Sequence, residues 1–153
     1  GAPLSPFNAW QIIQGLETVG LRMKQHCANA EKVVTFLETQ KKVQNVIYPT
    51  NHQGEIKDRA LRYMKGGYGS LVGMDVGTKE NGAKFIDNLK MLYHVANIGD
   101  ARSLAIHPAT TTHSQLSEKE LLAAGVTPGY VRLSIGIEHP DDIIADIKQA
   151  LAA

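Results

Sequence analysis

The sequence predicts an α+β two-layer sandwich in which a mostly antiparallel sheet carries helices on one face. Two observations lead to this prediction. Segments with helical and strand periodicity follow in the order α-α-β-α-β-α-β-β-α-β-α, without internal repeats and without the regular alternation that builds a parallel sheet. The predicted strand at residues 130–137 alternates apolar and polar side chains, which is typical of a sheet with one face in the core. The opposite face therefore needs another partner.

The first forty residues predict two helices. Ser5 is followed by Pro6, the order of an N-cap and a first helical position, so a helix begins near residue 6. Gly15 and Gly20 lower the helix propensity and predict a break, after which a second amphipathic helix continues to about Gln40.

The middle of the chain predicts two strands around a short polar helix. Residues 43–48 are rich in β-branched side chains and are closed by Pro49, so they predict a strand that ends in a turn. Residues 55–65 predict a helix, which the two glycines that follow bring to an end. Residues 68–76 alternate well enough to predict the second strand.

The second half begins with Thr78, a suitable N-cap for an amphipathic helix. The remaining predicted elements are strands at 94–98, 103–106 and 130–137, a short helix at 118–124, and a closing helix that starts at Pro140. The alternation of the last strand puts Arg132 on the face opposite to the core.

Composition excludes several classes of partner. Sixteen Lys and Arg against fifteen Asp and Glu give a net charge of +1 with the signs interspersed, which disfavours nucleic acid and membranes as partners. Cys27 is the only cysteine, so an intrachain disulfide and a multi-cysteine metal site are excluded. The sequence contains neither a secretory segment nor an apolar run of transmembrane length, and we expect a cytoplasmic protein.

The chain opens at Gly1 rather than at a methionine and runs almost directly into a helical pattern. We therefore expect it to be part of something longer. We assign residues 1–40 as a helical connection into the domain and residues 41–153 as the α/β sandwich itself.

The densest polar segment covers residues 97–114 and contains His107 and His113 with three threonines between them. A metal or proton-transfer site is one interpretation, but zinc takes three or four ligands and no carboxylate or cysteine is evidently placed with these histidines. The favoured interpretation is a loop in which hydroxyl groups satisfy the backbone and each histidine is hydrogen-bonded. We predict no metal site.

Arg132 is a stronger candidate for chemistry because it lies in the middle of an otherwise apolar strand. A permanently charged guanidinium near a sheet face needs an anionic partner, and a substrate carboxylate would serve. An internal salt bridge with Glu138 or Asp142, or a solvent-facing edge position, remains open as an alternative.

Other candidates carry less weight. The glycine cluster at 66–69 lacks the Lys-Ser/Thr end of a P-loop and precedes a strand, so it predicts a helix stop. Cys27 lies in a mid-helix position where a cysteine usually serves as a small apolar filler. No Ser-His-Asp or Cys-His pair follows from the spacing.

Several motifs together resemble one enzyme family, and they cover most of the chain. They are L-S-P-F-N-A-W at 4–10, G-L-E-T-V-G-L-R-M-K-Q-H at 15–26, N-V-I-Y-P at 45–49, N-I-G-D-A-R-S-L-A-I-H-P-A-T-T-T-H at 97–113, V-R-L-S-I-G-I-E at 131–138 and D-D-I-I-A-D at 141–146. These motifs resemble the end of the Cys/Met metabolism pyridoxal-phosphate enzymes. Residues 111–116 and 123–126 look most like the O-acetylhomoserine sulfhydrylases of that family, with methionine γ-lyase and cystathionine γ-synthase or lyase as alternatives.

The resemblance implies the small C-terminal domain of a fold-type I enzyme. In such an enzyme a larger N-terminal domain binds pyridoxal 5'-phosphate (PLP) through a Schiff-base lysine, and no lysine of this chain has that context. We therefore expect neither catalytic nor cofactor-binding residues here. The resemblance further implies that Arg132 grips the α-carboxylate of an amino-acid substrate, and that Ser103 and Leu104 form the strand edge beside it.

The same resemblance implies a homotetrameric parent that transfers the aminocarboxypropyl group of O-acetylhomoserine to sulfide or a thiol, giving homocysteine or methionine and acetate. Alone, the chain would then be a non-catalytic domain that supplies substrate-binding groups. A generic aminotransferase-like small domain would share the arginine but should lack the S-L-x-x-H-P run at 103–108.

Overall fold

The computed structural model describes residues 3–153 and contains a five-stranded sheet with helices packed on it. Gly1 and Ala2 lie outside the described residues, and with them the start of the chain on which the expectation of a longer protein was based. The helices are α1 Pro6–Glu17, α2 Val19–Glu38, α3 Glu55–Tyr63, α4 Lys79–Asn88, α5 Glu118–Ala123 and α6 Pro140–Ala152. The strands are β1 Asn45–Ile47, β2 Leu71–Asp75, β3 Tyr93–His94, β4 Leu104–Ile106 and β5 Tyr130–Ser134, and Pro108–Thr110 form a 3-10 turn.

The strand order is β1-β2-β5-β4-β3, and every neighbouring pair is antiparallel except β3 with β4. The predicted α+β sandwich with a mostly antiparallel sheet is therefore confirmed. Strand β5 lies at the centre, where Leu133 pairs with Val72 of β2 and Ala105 of β4. Its side chains consequently project from the most protected position of the sheet.

One face of the sheet forms the main hydrophobic core with α2, α4 and α6. Leu133 from β5, Leu37 from α2 and Ile147 from α6 are all fully buried there. The other fully buried members of this core, each with a relative exposure of 0%, are Ala30, Val33, Val72, Met74, Val131, Ile135 and Ile143. The apolar positions of alternate strand residues and of one face of each helix meet in this layer, as the sequence periodicity predicts.

Helix α1 differs from the other long helices because none of its residues is buried. Ser5 caps it through a bond from the Asn8 amide, and it ends at Glu17, so the predicted break near the two glycines is confirmed. The large apolar side chains exposed in this part of the chain are Leu4, Phe7, Trp10, Ile12, Ile13, Leu16, Val19, Leu21 and Met23. Within residues 3–153, no helix combines the length and apolar character that a membrane crossing requires.

All five strands are shorter than the sequence predicts, and the difference is largest for β2, β3 and β5. The segment before β2 leaves the ladder because Gly67 and Gly69 have φ values of 129° and 85°, outside the extended region. The segment after β5 leaves it because the carbonyl groups of Ile135 and Gly136 bind side chains of α2 instead of a strand. Strand β3 begins at Tyr93 and contains only two residues.

Candidate functional site

The face of the sheet opposite to the helices presents alternate residues of β5, namely Tyr130, Arg132 and Ser134. Arg132 lies between Gly73 of β2 and Ile106 of β4. The central strand thus brings a guanidinium to the middle of this face, which is the orientation predicted from the alternation of the strand.

Arg132 is half-buried and only partly hydrogen-bonded. Its Nη2 donates to the backbone oxygen of Asn97 at 3.2 Å, whereas its Nε is buried and has no acceptor among residues 3–153. Among the described residues no carboxylate forms an ion pair with it, so the alternative of a salt bridge with Glu138 or Asp142 is wrong. A buried donor without an acceptor is costly, and a ligand that accepts from Nε would remove that cost.

Ser134, two residues further along β5, has the same property. Its side chain is almost fully buried, and no described residue forms a hydrogen bond with its Oγ. In the part of the chain that the structure describes, the Arg132 Nε and the Ser134 Oγ are the two buried side-chain polar atoms left without a partner. Both belong to the same face of the same strand, so the unsatisfied polarity of the domain is concentrated there.

A cleft of about 350 Å³ lies on this face of the sheet. Its lining is mostly apolar and consists of Ile47, Tyr48, Pro49, His52, Ile56, Ala60, Leu71, Val72, Gly73, Tyr130 and Arg132. The ring of Tyr130 crosses β2 at Gly73, where an added Cβ would lie 2.7 Å from the ring atom Cε2. Burial raises the pKa of Tyr130, and the nearby charge of Arg132 opposes that rise. The hydroxyl group therefore stays protonated near neutral pH.

Ser103 and Leu104 lie at the start of β4 beside this face. Leu104 is buried and pairs with Ser134, so its backbone runs next to the unpartnered serine. Ser103 is fully buried, and its amide and hydroxyl groups donate to the two carboxylate oxygens of Glu138 at 2.7 and 2.9 Å. The structure thus brings Arg132, Leu104 and Ser134 together on adjacent strands and engages Ser103 with Glu138.

The histidine and threonine segment after β4 forms a turn. His107 is fully buried, with Nδ1 2.9 Å from the Thr110 Oγ1 and Nε2 2.7 Å from the Pro128 oxygen. Burial lowers its pKa. Within residues 3–153 the ring of His113 has one hydrogen-bond partner, the hydroxyl group of Thr112. Both imidazoles are engaged by hydroxyl or backbone groups, which matches the interpretation of this segment as a loop. Within residues 3–153 no three metal-binding side chains cluster.

Sequence reasoning gave Glu138 little weight and did not find Asn29, although both hold the segments that flank Arg132. The amide nitrogen of Asn29 donates to the backbone oxygens of Gly136 and Glu138 at 3.0 and 2.8 Å. These contacts join residues 107 and 109 positions apart in the chain, so no local pattern reports them. The only sequence signal is that a polar residue stands on the apolar face of an amphipathic helix.

Comparison with known proteins gives a consistent result. The profile of the family described as Cys/Met metabolism PLP-dependent enzymes matches residues 1–152. An O-acetyl-L-homoserine sulfhydrylase of Leptospira meyeri is 50% identical over 153 residues, which are 99% of this chain and 35% of that protein. An L-methionine gamma-lyase of Fusobacterium nucleatum is 42% identical over 99% of this chain and 38% of its own length.

A solved structure extends the similarity to the fold. The crystal structure of an O-acetylhomoserine (thiol)-lyase of Campylobacter jejuni, which contains N'-pyridoxyl-lysine-5'-monophosphate, superposes with a TM-score of 0.91 at 44% identity. The match covers 100% of this chain and 37% of that one. This chain therefore spans about a third of the length of the relatives that it matches.

Proposed function

Because this chain belongs to the Cys/Met metabolism PLP-dependent enzyme family, we propose that it is the C-terminal, carboxylate-binding domain of a sulfhydrylase. The enzyme would convert O-acetylhomoserine and sulfide or a thiol to homocysteine or methionine and acetate. The observation that carries the proposal is the buried Nε of Arg132, which lacks an acceptor on the uncovered face of the sheet. A substrate α-carboxylate is an acceptor with the matching charge.

In this proposal Arg132 binds and orients the amino-acid substrate. A guanidinium donates two parallel bonds to a carboxylate, which fixes the direction of the bonds at the substrate α-carbon. The Asn97 carbonyl restrains Arg132 through Nη2 and leaves Nε available. The Ser103–Leu104 edge borders the carboxylate, and the apolar cleft beside Tyr130 excludes water from it.

The residues of this cleft do not fit the cofactor itself. No lysine is among the residues that line it, and Arg132 is its one permanent cation. A Schiff base to PLP therefore has no amine here, and we assign no step through the cofactor to this chain. The proposal instead gives the cofactor to an N-terminal PLP-binding domain of the same enzyme, so that this chain alone is inactive.

The proposal includes the domain organisation and the assembly. It assigns residues 1–40 as a helical connection and residues 41–153 as the sandwich. The absence of buried residues from α1 supports this division, whereas Val33 and Leu37 of α2 belong to the core of the sandwich. The enzyme would be a cytoplasmic homotetramer. The single buried thiol of Cys27 agrees with a reducing compartment.

A methionine γ-lyase is the second candidate, favoured by the relative of that name in Fusobacterium nucleatum. Both reactions would use Arg132 in the same way, because both substrates carry an α-carboxylate. Assays of the full-length enzyme separate them. Homocysteine formed from O-acetylhomoserine and sulfide supports the sulfhydrylase, whereas a 2-oxo acid released from methionine supports the lyase.

The substitution Arg132→Ala in the full-length enzyme tests the carboxylate assignment. We expect kcat/KM to fall by about 100-fold or more, because truncating one partner of a buried charge pair costs several powers of ten in related cases. The visible absorbance of bound PLP should stay unchanged. Unaltered kinetics would remove Arg132 from the site.

A second measurement tests the absence of the cofactor amine. This chain is mixed with PLP, treated with borohydride and analysed by mass spectrometry. We expect no stoichiometric lysine adduct. An adduct at one lysine would show that this chain holds part of the cofactor site and would refute the division of roles.

A further inference from the structure

We propose that Glu138 is a positioning residue, which fixes the Ser103–Leu104 edge and, through the loop at 97–102, the guanidinium of Arg132. This inference rests on the proposed function, because it concerns the geometry of the carboxylate site. It also assigns Ser103 a specific role: Ser103 does not touch the substrate but transmits the constraint of Glu138.

The first step is the bond pattern between Glu138 and Ser103. Glu138 Oε1 accepts from the Ser103 amide at 2.7 Å, and Oε2 accepts from its hydroxyl group at 2.9 Å. The Ser103 Oγ in turn accepts from the Gly136 amide at 2.8 Å. The Ser103 carbonyl accepts from the Tyr93 amide at 3.1 Å. Every polar group of Ser103 is therefore engaged, and none remains for a substrate.

The second step is the support behind Glu138. Asn29, which is fully buried, holds the backbone oxygens of both Gly136 and Glu138. His26, exposed by only 2%, lies one turn away on α2 with Nδ1 2.6 Å from the Ile135 oxygen. Side chains of α2 thus bind the backbone of the segment that follows β5. The backbone of Glu138 therefore cannot shift without breaking these hydrogen bonds.

The third step is the loop in front of Glu138. The amide of Ile137 donates to the Ala101 oxygen at 2.8 Å, and Arg132 Nη2 donates to the Asn97 oxygen. A side chain at Gly136 would overlap both the Glu138 carboxylate and the Ala101 carbonyl, so the loop and the strand end are in close contact. The loop at 97–102 is therefore bound to Arg132 of β5 at its start, through Asn97, and to Ile137 after β5 near its end, through Ala101. The Glu138 carboxylate binds the next residue, Ser103.

These ties bear on Arg132 because the Asn97 oxygen is the one partner of its guanidinium among the described residues. If the bond between Ser103 and Glu138 is lost, the loop at 97–102 is held by fewer contacts and the acceptor for Nη2 becomes mobile. A guanidinium with several orientations binds a carboxylate less tightly, since binding must then select one of them. Substrate affinity is the quantity that should respond.

The chain contains a matched control for this pair. Glu120 accepts from both the amide and the hydroxyl group of Ser117, at 2.8 and 2.7 Å, in the capping box of α5. That pair has the same kinds of donor and acceptor, but both donors reach one carboxylate oxygen, Oε2, and the pair is exposed and only three residues apart. The substitution Glu120→Gln therefore makes the same carboxylate-to-amide change beside a serine, at a place away from β5.

The test uses the full-length enzyme with Glu138→Gln, Glu138→Asp, Ser103→Ala and the control Glu120→Gln. An amide cannot accept from both donors of Ser103, so Glu138→Gln should raise KM for the amino-acid substrate about tenfold, the size expected from one lost charge-assisted bond. The value of kcat should change less than KM. Glu138→Asp keeps the carboxylate and should restore part of the affinity, and Glu120→Gln should match the wild type.

A double substitution separates transmission from direct contact. If Ser103 acts through Glu138, Ser103→Ala combined with Glu138→Gln should raise KM no further than either change alone. Additive effects would mean that Ser103 touches the substrate and would overturn its assigned role. Should Ser103→Ala fail to fold, KM values for Glu138→Gln and Glu138→Asp that equal the control overturn the inference equally well.

A second readout does not depend on activity. In the 15N-labelled chain, Glu138→Gln should move the Ser103 amide and Arg132 Nε resonances and should speed hydrogen exchange at residues 101–103, whereas Glu120→Gln should move only residues near α5. An unchanged Arg132 Nε resonance would overturn the link from Glu138 to the guanidinium. The proposed function fails separately, when Arg132→Ala leaves KM unaffected.

Discussion

The two faces of the sheet differ in whether their buried side chains find partners within this chain. On the helix face, Val131 and Leu133 of β5 are fully buried among α2, α4 and α6. On the opposite face, Arg132 and Ser134 of the same strand each have a buried polar atom without a partner in the described part of the chain. Alternate residues of β5 thus belong either to a packed hydrophobic core or to a face whose buried polar atoms lack partners. We therefore expect the first set to determine stability and the second set to determine function.

The comparison teaches where a substitution should act. A change on the helix face removes contacts that the domain itself has made, so it should be visible in the free energy of unfolding. A change on the opposite face removes groups that have no partner within residues 3–153 and that we propose to bind a substrate, so it should be visible in binding. The following predictions test this separation, beginning with the largest effect on stability.

Leu133→Ala should produce the largest loss. The side chain is fully buried in the centre of the core, and truncation leaves a cavity that the surrounding helices can only partly fill. We expect the free energy of unfolding to fall by about 3–5 kcal/mol, measured by urea denaturation of this chain. A loss below about 1 kcal/mol would mean that the helix layer adapts easily and that the two faces differ less than we infer.

On the helix face, the buried carboxylate of Asp146 finds its hydrogen-bond donors within the domain itself. Its carboxylate accepts from the amides of Lys90, Met91 and Leu92 at 2.9, 2.8 and 2.9 Å, where the chain passes from α4 to β3. Asp146→Ala leaves three donors without this acceptor and should cost about 2–3 kcal/mol in the same denaturation experiment. Arg132, by contrast, has one partner and an unpartnered Nε.

The charge of Asp146 also predicts a pH dependence. Burial raises its pKa, but the three amides and Gln149 together outweigh burial and hold the pKa below its usual value. The stabilisation is therefore present above the pKa of the unfolded chain, near 4, and is lost as the pH falls through the lower pKa of the folded protein. Asp146→Asn should weaken this acid dependence. An identical acid limb in the variant would contradict the assignment.

His107 predicts a smaller effect with its own pH window. Burial lowers its pKa, and the charges of Lys79 and His94 act in the same direction, against the bond to the Pro128 oxygen. The unfolded chain therefore binds a proton first, so stability is complete above about pH 6.5 and decreases below it. Denaturation midpoints from pH 8 to 5 should show this slope, and His107→Gln should flatten it. A slope that persists in the variant would assign it to another group.

The fold could be predicted from the sequence where one short segment carries the signal. The alternation of β5 gave the orientation of Arg132, and the caps at Ser5 and Thr78 gave two helix starts, because each depends on residues within one turn. The salt-bridge alternative for Arg132 was wrong for the opposite reason. Glu138 is near in sequence, but its carboxylate binds Ser103, 35 residues away, and that preference is set by tertiary packing.

The end of β5 was also not predicted, because it too is set by tertiary packing. The segment after Ser134 continues the apolar alternation, so the sequence extends the strand to residue 137. In the structure, Asn29 and His26 take the backbone oxygens of that segment, which no pattern in the segment reports. The cleft beside Tyr130 was also missed, because β1, β2, β5 and α3 form it together and Gly73 leaves the space for the ring.

Arg132→Met should have the smallest effect on stability, although its neighbour Leu133 has the largest. Methionine keeps most of the apolar stem, removes the bond to the Asn97 oxygen and also removes the unpartnered Nε. Because the loss and the gain oppose each other, we expect the free energy of unfolding to change by less than about 1 kcal/mol in either direction. The exposed Arg59, which pairs with Glu55 on α3, provides the control Arg59→Met. If Arg132→Met costs more than about 2 kcal/mol beyond this control, the guanidinium stabilises the fold, and the separation of stability and function along β5 is refuted.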